Sequence, residues 1–284
     1  MLLGYNTNGL AHHDPLQAIE LLASIGYRSV AITIDHHVLN PYGNGLEPQL
    51  AAVRRLLKKH GLRSVIETGA RYLLDPVIKH EPTLVSALPG ARAQRVEFLK
   101  HAIDIAATLG SDCVSLWSGV VRDGASDEVM FDRLVAALGE VVDYAARIST
   151  RSAQGVAIGF EPEPGMGIDT MPRFAELDRR IAAENFRLTL DVGHLHCQGE
   201  TPIAEHIHRW GSRLVNVHVE DMRAGVHEHL MFGEGQIDFP PVIEALAAVG
   251  YRGGLHVELS RHSHEGPQAA RRAFEFLSPL LPKI

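Results

Sequence analysis

Four side chains able to bind a divalent metal end four apolar segments in the second half of the sequence. Glu161 follows Val156-Ala-Ile-Gly-Phe, Asp191 follows Arg187-Leu-Thr-Leu, His218 follows Leu214-Val-Asn-Val, and Glu258 follows Leu255-His-Val. Each run is too short for a helix and reads as a strand covered on both faces. A single acid at a strand end is commonly a helix cap or a member of an ion pair. Four such endings in succession are not explained that way. Burying one unpaired carboxylate costs several kcal/mol, so three carboxylates and an imidazole gathered at one place need a cation. The donor set suits one hard or borderline ion, Mn²⁺, Mg²⁺, Co²⁺ or Zn²⁺. Four protein ligands on an ion that accepts five or six leave room for substrate oxygens.

The elements that would bring these residues together repeat along the chain. A helical stretch ends in glycine, and a short turn leads into a β-rich run, as in Leu21-Leu-Ala-Ser-Ile-Gly-Tyr-Arg-Ser-Val-Ala-Ile and Ala106-Ala-Thr-Leu-Gly-Ser-Asp-Cys-Val-Ser-Leu. Glycine ends helices because it adopts the left-handed conformation without a Cβ penalty. The pattern predicts strands near residues 2–6, 29–34, 63–67, 113–117, 156–161, 187–191, 214–219 and 254–259. Helices are expected near 15–25, 46–60, 92–109, 127–149, 172–184, 201–211, 239–249 and 266–280. Asp14-Pro15 and Thr201-Pro202 read as helix starts, a cap followed by proline in the first turn. Strict alternation over eight units predicts a closed α/β barrel, a single (β/α)8 domain over residues 1–284. The competing doubly wound sheet lacks its glycine fingerprint after the first strand. In a barrel the loops after the strands form the active face, so the four residues converge on one mouth. The long segment 70–91 follows the third strand on that face, and reads either as a cover over the site or as a surface insertion.

Composition narrows the function classes. The chain has 284 residues, 45% of them hydrophobic, and no stretch approaches the length needed to cross a bilayer. The N-terminus lacks the basic segment of a signal peptide, and two cysteines form no disulfide framework, so a cytoplasmic protein is expected. A net charge of −7 argues against a nucleic-acid backbone as partner. Neither a nucleic-acid nor a membrane partner is expected, and a homo-oligomer stays open.

The motifs Gly159-Phe-Glu-Pro-Glu-Pro, Leu188-Thr-Leu-Asp-Val-Gly-His, Val217-His-Val-Glu-Asp, Gly233-Glu-Gly-Gln-Ile-Asp-Phe and His256-Val-Glu-Leu occur in order at successive strand ends. With them the chain resembles the xylose-isomerase-like TIM barrels, which include ketose 3-epimerases, inosose-processing enzymes and zinc AP endonucleases. The resemblance implies that Glu161, Asp191, His218 and Glu258 are metal ligands. It also implies that Glu161 and Glu258 move protons on opposite faces of a substrate carbon. A metal that polarises a carbonyl lowers the cost of removing the neighbouring proton to give an enediolate, and two carboxylates then take and return it. His194 is expected to bind a substrate hydroxyl, or else to cap the next helix. Glu67 and Glu163 are candidate substrate contacts, with an ion pair to arginine as the alternative for Glu163. Trp117 suits a wall for a sugar ring or core packing. Arg223 would hold a substrate oxygen or phosphate, or lie exposed. His229 matches an additional zinc ligand of the endonuclease branch, whereas His227 stands where that branch has an acid. Cys197 with His194 and His196 is a weak zinc motif.

The leading expectation is a metal-dependent isomerase or epimerase of a small sugar, sugar phosphate or cyclitol. An inosose-type dehydratase would use the same residues. An AP-endonuclease-like phosphodiesterase needs histidines after strands three and four, where Glu67 and Trp117 stand instead. A binding barrel without activity would be easier to accept had one of the four ligand positions been lost.

Overall fold

The computed structural model describes residues 1–149 and 156–282. Eight parallel strands close a barrel in the order β1-β10-β7-β6-β5-β4-β3-β2, with a two-stranded antiparallel ribbon, β8-β9, outside it. The barrel strands are β1 (Leu2–Asn6), β2 (Ser29–Thr33), β3 (Arg63–Glu67), β4 (Cys113–Leu116), β5 (Ala157–Phe160), β6 (Phe186–Asp191), β7 (Leu214–Val219) and β10 (Gly254–Val257). The ribbon strands are β8 (Asp221–Arg223) and β9 (Val226–Leu230). Helices α1 (Pro15–Ile25), α2 (Leu46–His60), α3 (Pro89–Leu109), α4 (Asp127–Ser149), α5 (Met171–Ile181), α7 (Ile203–Trp210), α8 (Phe239–Ala248) and α9 (Gly266–Leu277) alternate with the barrel strands. A further short helix, α6 (Val192–Cys197), follows β6 directly. Among the described residues no helix is long and apolar enough to cross a membrane.

The predicted boundaries hold to within a few residues, with two instructive departures. Helix α3 begins at Pro89, a turn earlier than its apolar spacing indicates. Helix α7 begins after Pro202, which occupies the N-cap rather than the first turn. Asp14 does cap α1, its Oδ1 accepting from the N–H groups of Leu16 and Gln17. Gly110, at the end of α3, takes the left-handed conformation at φ 70°.

Internal contacts group the chain into two units, each with its own core. One comprises Met1–Ile32, Ala52–Val65 and Leu188–Ile284, where Tyr5 and Phe274 both meet Tyr27 edge to face. The other comprises Thr33–Ala51 and Ile66–Arg187, and centres on the buried rings of Phe160, Phe174 and Phe186.

Register in the first unit decides which residues meet. Gly4 of β1 pairs with His256 of β10 on one side and Ser29 of β2 on the other. His256 in turn pairs with His218. Between β6 and β7 the ladder shifts by one residue, from Leu188 opposite Leu214 to Thr189 opposite Asn216. Because strand side chains alternate faces, a one-residue slip exchanges the two faces. The shift therefore places Asp191 level with His218 instead of its neighbour Val217.

Candidate active site

Asp191 is the last residue of β6 and also the N-cap of α6. Its Oδ1 accepts the His194 N–H at 2.9 Å, which starts the helix. Its Oδ2 is buried and has no hydrogen-bond partner. A carboxylate oxygen in that condition is costly unless a cation or a proton answers it. His218 Nδ1 lies 3.9 Å from that oxygen and 2.9 Å from Glu258 Oε2. Asn8 Nδ2 donates to the other Glu258 oxygen at 2.8 Å, fixing the carboxylate. Burial alone would raise both acids, but the surrounding imidazoles outweigh it. His218 and His194 hold Glu258, and His194 and His218 hold Asp191, below the ordinary carboxylate range.

Glu161, immediately after β5, completes the predicted set. Ligand atoms of Glu161, Asp191, His218 and Glu258 all lie within 4.8 Å of one another. Glu161 forms a second such group with Glu163 and His194. The four residues singled out by type and spacing are thus brought together, and they are a fitting donor set for a divalent ion.

The structure adds two features beyond the predicted set of four. The first is Glu220, fully buried, whose carboxyl is pushed well above its usual range by burial and then by Asp191. Both of its carboxyl oxygens are buried without a hydrogen-bond partner, so it adds to the uncompensated acid character beside Asp191. Its space is made by Gly193 of α6, where a Cβ would stand 1.9 Å from Glu220 Oε1. The signal was the acid two residues beyond His218 on an apolar strand, which alternation points to the same face.

The second is a group of three histidines, His194, His227 and His229, with ring nitrogens within 4.8 Å of one another. His194 comes from α6, and the other two lie two residues apart on β9. The His194 and His227 Nε2 atoms are 3.1 Å apart. Burial, then His194 and His229, push His227 down to about 4, so its ring is neutral at physiological pH. The ribbon β8-β9 is what carries these rings to α6. It was readable from Ala224-Gly225 between two short runs, a two-residue turn with Gly225 at φ 72°. Its base is held by Asp221, whose carboxylate accepts from the N–H groups of Met222, Gly233, Gly235 and Ile237. That is the physical content of the Gly233-Glu-Gly235 motif. A Cβ at Gly235 would stand 2.3 Å from Asp221 Oδ1.

The remaining candidates are placed differently. His194 is buried, on α6 rather than in a loop. Glu67 is buried at the end of β3. Trp117 is buried between the His80 ring, 5.3 Å away, and the Arg95 guanidinium, 4.6 Å from its ring centre. Arg223 lies on β8 with its side chain 52% exposed, 3.4 Å from Glu228 Oε2 and donating to the Glu234 carbonyl. Groups of candidate ligands among the described residues do not include Cys197 or His196.

The family described as xylose isomerase-like TIM barrel matches residues 19–280. The chain belongs to that family. Among the chain's relatives, an uncharacterized protein of Methanocaldococcus jannaschii is 29% identical over 213 residues, covering 71% of this chain and 70% of its own. The L-ribulose-5-phosphate 3-epimerase UlaE of Escherichia coli K12 is 24% identical over 263 residues, covering 89% of this chain and 85% of its own. Among solved structures, a D-allulose 3-epimerase from Methylomonas sp. superposes with a TM-score of 0.77 at 22% identity, covering 99% of this chain and 98% of its own.

Proposed function

We propose that this chain is a divalent-metal-dependent isomerase or epimerase of a small sugar, sugar phosphate or cyclitol. The observation that carries the reading is the convergence of Glu161, Asp191, His218 and Glu258, with one Asp191 oxygen buried and unanswered. The epimerase names of its relatives support the same class. Asp191, His218, Glu161 and Glu258 would hold one ion, Mn²⁺, Mg²⁺, Co²⁺ or Zn²⁺. Once bound, that ion supplies Lewis acidity toward a substrate carbonyl. Glu258 and Glu161 move the protons: one removes the proton beside the carbonyl and the other delivers a proton to the opposite face, through an enediolate. Asn8, on the Glu258 oxygen, orients that carboxylate. His194, Glu67, Glu163, Trp117 and Arg223 are the substrate-side candidates. The two buried cysteine thiols fit a reducing, cytoplasmic setting.

The test is a solvent-deuterium exchange screen of ketoses, ketose phosphates and inososes with metal-loaded protein. Exchange at a carbon next to a carbonyl supports the reading, and water loss without exchange-and-return identifies the dehydratase variant. No exchange with any class under any of the four metals overturns it.

The three-histidine group favours a second reading, a phosphodiesterase with more than one ion. Against it stand the net charge of −7, Glu67 at the end of β3 and Trp117 immediately after β4, where histidines would be needed. Two bound ions per chain with cleavage of abasic DNA would promote it.

A further inference from the structure

Behind His218, on the side away from the carboxylates, buried polar groups continue in a line. Asn216 Nδ2 is 3.0 Å from His218 Nε2, and Asn216 Oδ1 is 2.7 Å from His256 Nδ1. His256 Nε2 is 2.8 Å from Ser29 Oγ, which lies 3.3 Å from the Arg63 carbonyl oxygen. Asn216, His256 and Ser29 are all 0% exposed. Two glycines make room for the His256 ring. A Cβ at Gly4 would stand 2.3 Å from His256 Cδ2, and one at Gly254 would stand 2.1 Å from His256 Cε1. An apolar side chain would fill the space without needing partners, so a buried imidazole with a full set of them calls for a reason. The His256 ring has one polar partner at each nitrogen, which one N–H and one lone pair satisfy.

The ends of an amide are isosteric, and a neutral imidazole has one donor and one acceptor. The same heavy atoms therefore admit two directions for the line. In the first, Asn216 donates to His218 Nε2, His256 Nδ1–H donates to Asn216, and Ser29 donates to His256 Nε2. The Ser29 hydroxyl then has no proton for the Arg63 carbonyl. In the second, with the Asn216 amide turned over so that its oxygen and nitrogen exchange places, His218 Nε2–H donates to the amide oxygen, the amide nitrogen donates to His256 Nδ1, and His256 Nε2–H donates to Ser29. Ser29 then donates to the Arg63 carbonyl, so every contact beyond His218 carries a proton, and the 2.9 Å approach of His218 Nδ1 to Glu258 Oε2 is the one left for a cation. Only the second direction leaves a neutral His218 with its Nδ1 lone pair toward Glu258 and Asp191.

We propose that Asn216, His256 and Ser29 are a positioning relay that fixes His218 as the tautomer able to ligate through Nδ1, by running donors from His218 to the Arg63 carbonyl. The proposal rests on the reading of His218 as a metal ligand. Outer partners of ligating histidines commonly set ring orientation and tautomer, and their removal costs about 10–100-fold in metal affinity.

The experiment uses the full chain, labelled with ¹⁵N-histidine and loaded with diamagnetic Zn²⁺. Long-range ¹H–¹⁵N correlation is expected to show His256 protonated at Nε2 and His218 protonated at Nε2. Asn216→Leu is expected to lower Zn²⁺ affinity by about 10–100-fold. Asn216→Asp can still accept from His218, so its affinity stays within a few-fold of wild type while the His256 proton moves to Nδ1. That tautomer change is a signature that mere packing does not produce, and it serves if the leucine variant fails to fold. His256 protonated at Nδ1 in zinc-loaded wild type overturns the relay while leaving His218 a ligand. Zinc binding that is undiminished in a folded Asn216→Leu protein does the same. Wild type that binds no Zn²⁺ overturns both the ligand reading and the relay.

Discussion

At the scale of single residues, the proposed reaction places two demands on Glu258. It must be a carboxylate at working pH, and it must be held so that one oxygen remains available for chemistry. Neighbouring imidazoles meet the first demand against the effect of burial, and Asn8 meets the second by occupying Oε1. Glu258→Gln keeps the shape and removes the proposed base. It is expected to reduce kcat on an exchange-positive substrate by about 10²–10⁴-fold. Glu161→Gln is expected to fall in the same range, with both variants melting within a few degrees of wild type in a thermal scan. Wild-type turnover in either would remove that residue from proton transfer. These residues were legible because type and position coincide: an acid or imidazole ends a short apolar run. Glu220 was less visible, since a buried acid looks like any other glutamate in a sequence. Only the space left by Gly193 and the nearness of Asp191 give it a role.

At the scale of elements, the two short pieces after β6 and β7 carry much of the site. Helix α6 spans only Val192–Cys197, too short for a 3.6-residue period to register in a sequence. The β6–β7 shift is invisible for a different reason, because pairing register is a property of two strands together. The ribbon was more accessible, through its Ala224-Gly225 turn, and it is the element that gathers His227 and His229. Its foundation is Asp221. Replacing that carboxylate with alanine leaves the Met222, Gly233, Gly235 and Ile237 N–H groups without their acceptor. A buried donor so abandoned costs about 1–3 kcal/mol, so Asp221→Ala is expected to lose several kcal/mol in urea unfolding. Limited proteolysis should cut first between residues 223 and 236. A Gly235→Ala chain should behave alike, because its Cβ enters the same acceptor.

At the scale of the whole molecule, the eightfold alternation was the most readable property, since each glycine-ended helix announces the next strand. Two consequences concern stability. His256 and His227 are both held below the ordinary histidine range, at about 3 and about 4. Unfolded, each takes up a proton near pH 6.5, so between that value and the folded one the unfolded chain binds more protons. Stability is therefore full above about pH 6.5 and is lost as pH falls toward 3–4. His256→Gln should flatten this acid limb in melting curves recorded from pH 7 to 4, and an unchanged slope would exclude His256 as a contributor. The second consequence concerns the ion. A metal that binds only the folded chain adds about 2.7 kcal/mol at a hundred times its Kd, seen as a rise in Tm that Asp191→Asn abolishes.

Asp191 divides its two oxygens between different tasks: Oδ1 starts α6, and Oδ2 faces His218 and His194. Charge on one oxygen cannot change without redistributing electron density to the other. Occupancy at Oδ2 should thus be audible in the backbone, as altered hydrogen–deuterium exchange of the His194 amide. The two tasks are separable by substitution: Asp191→Asn keeps an oxygen to cap α6 and removes the charge at Oδ2, whereas Asp191→Ala removes both.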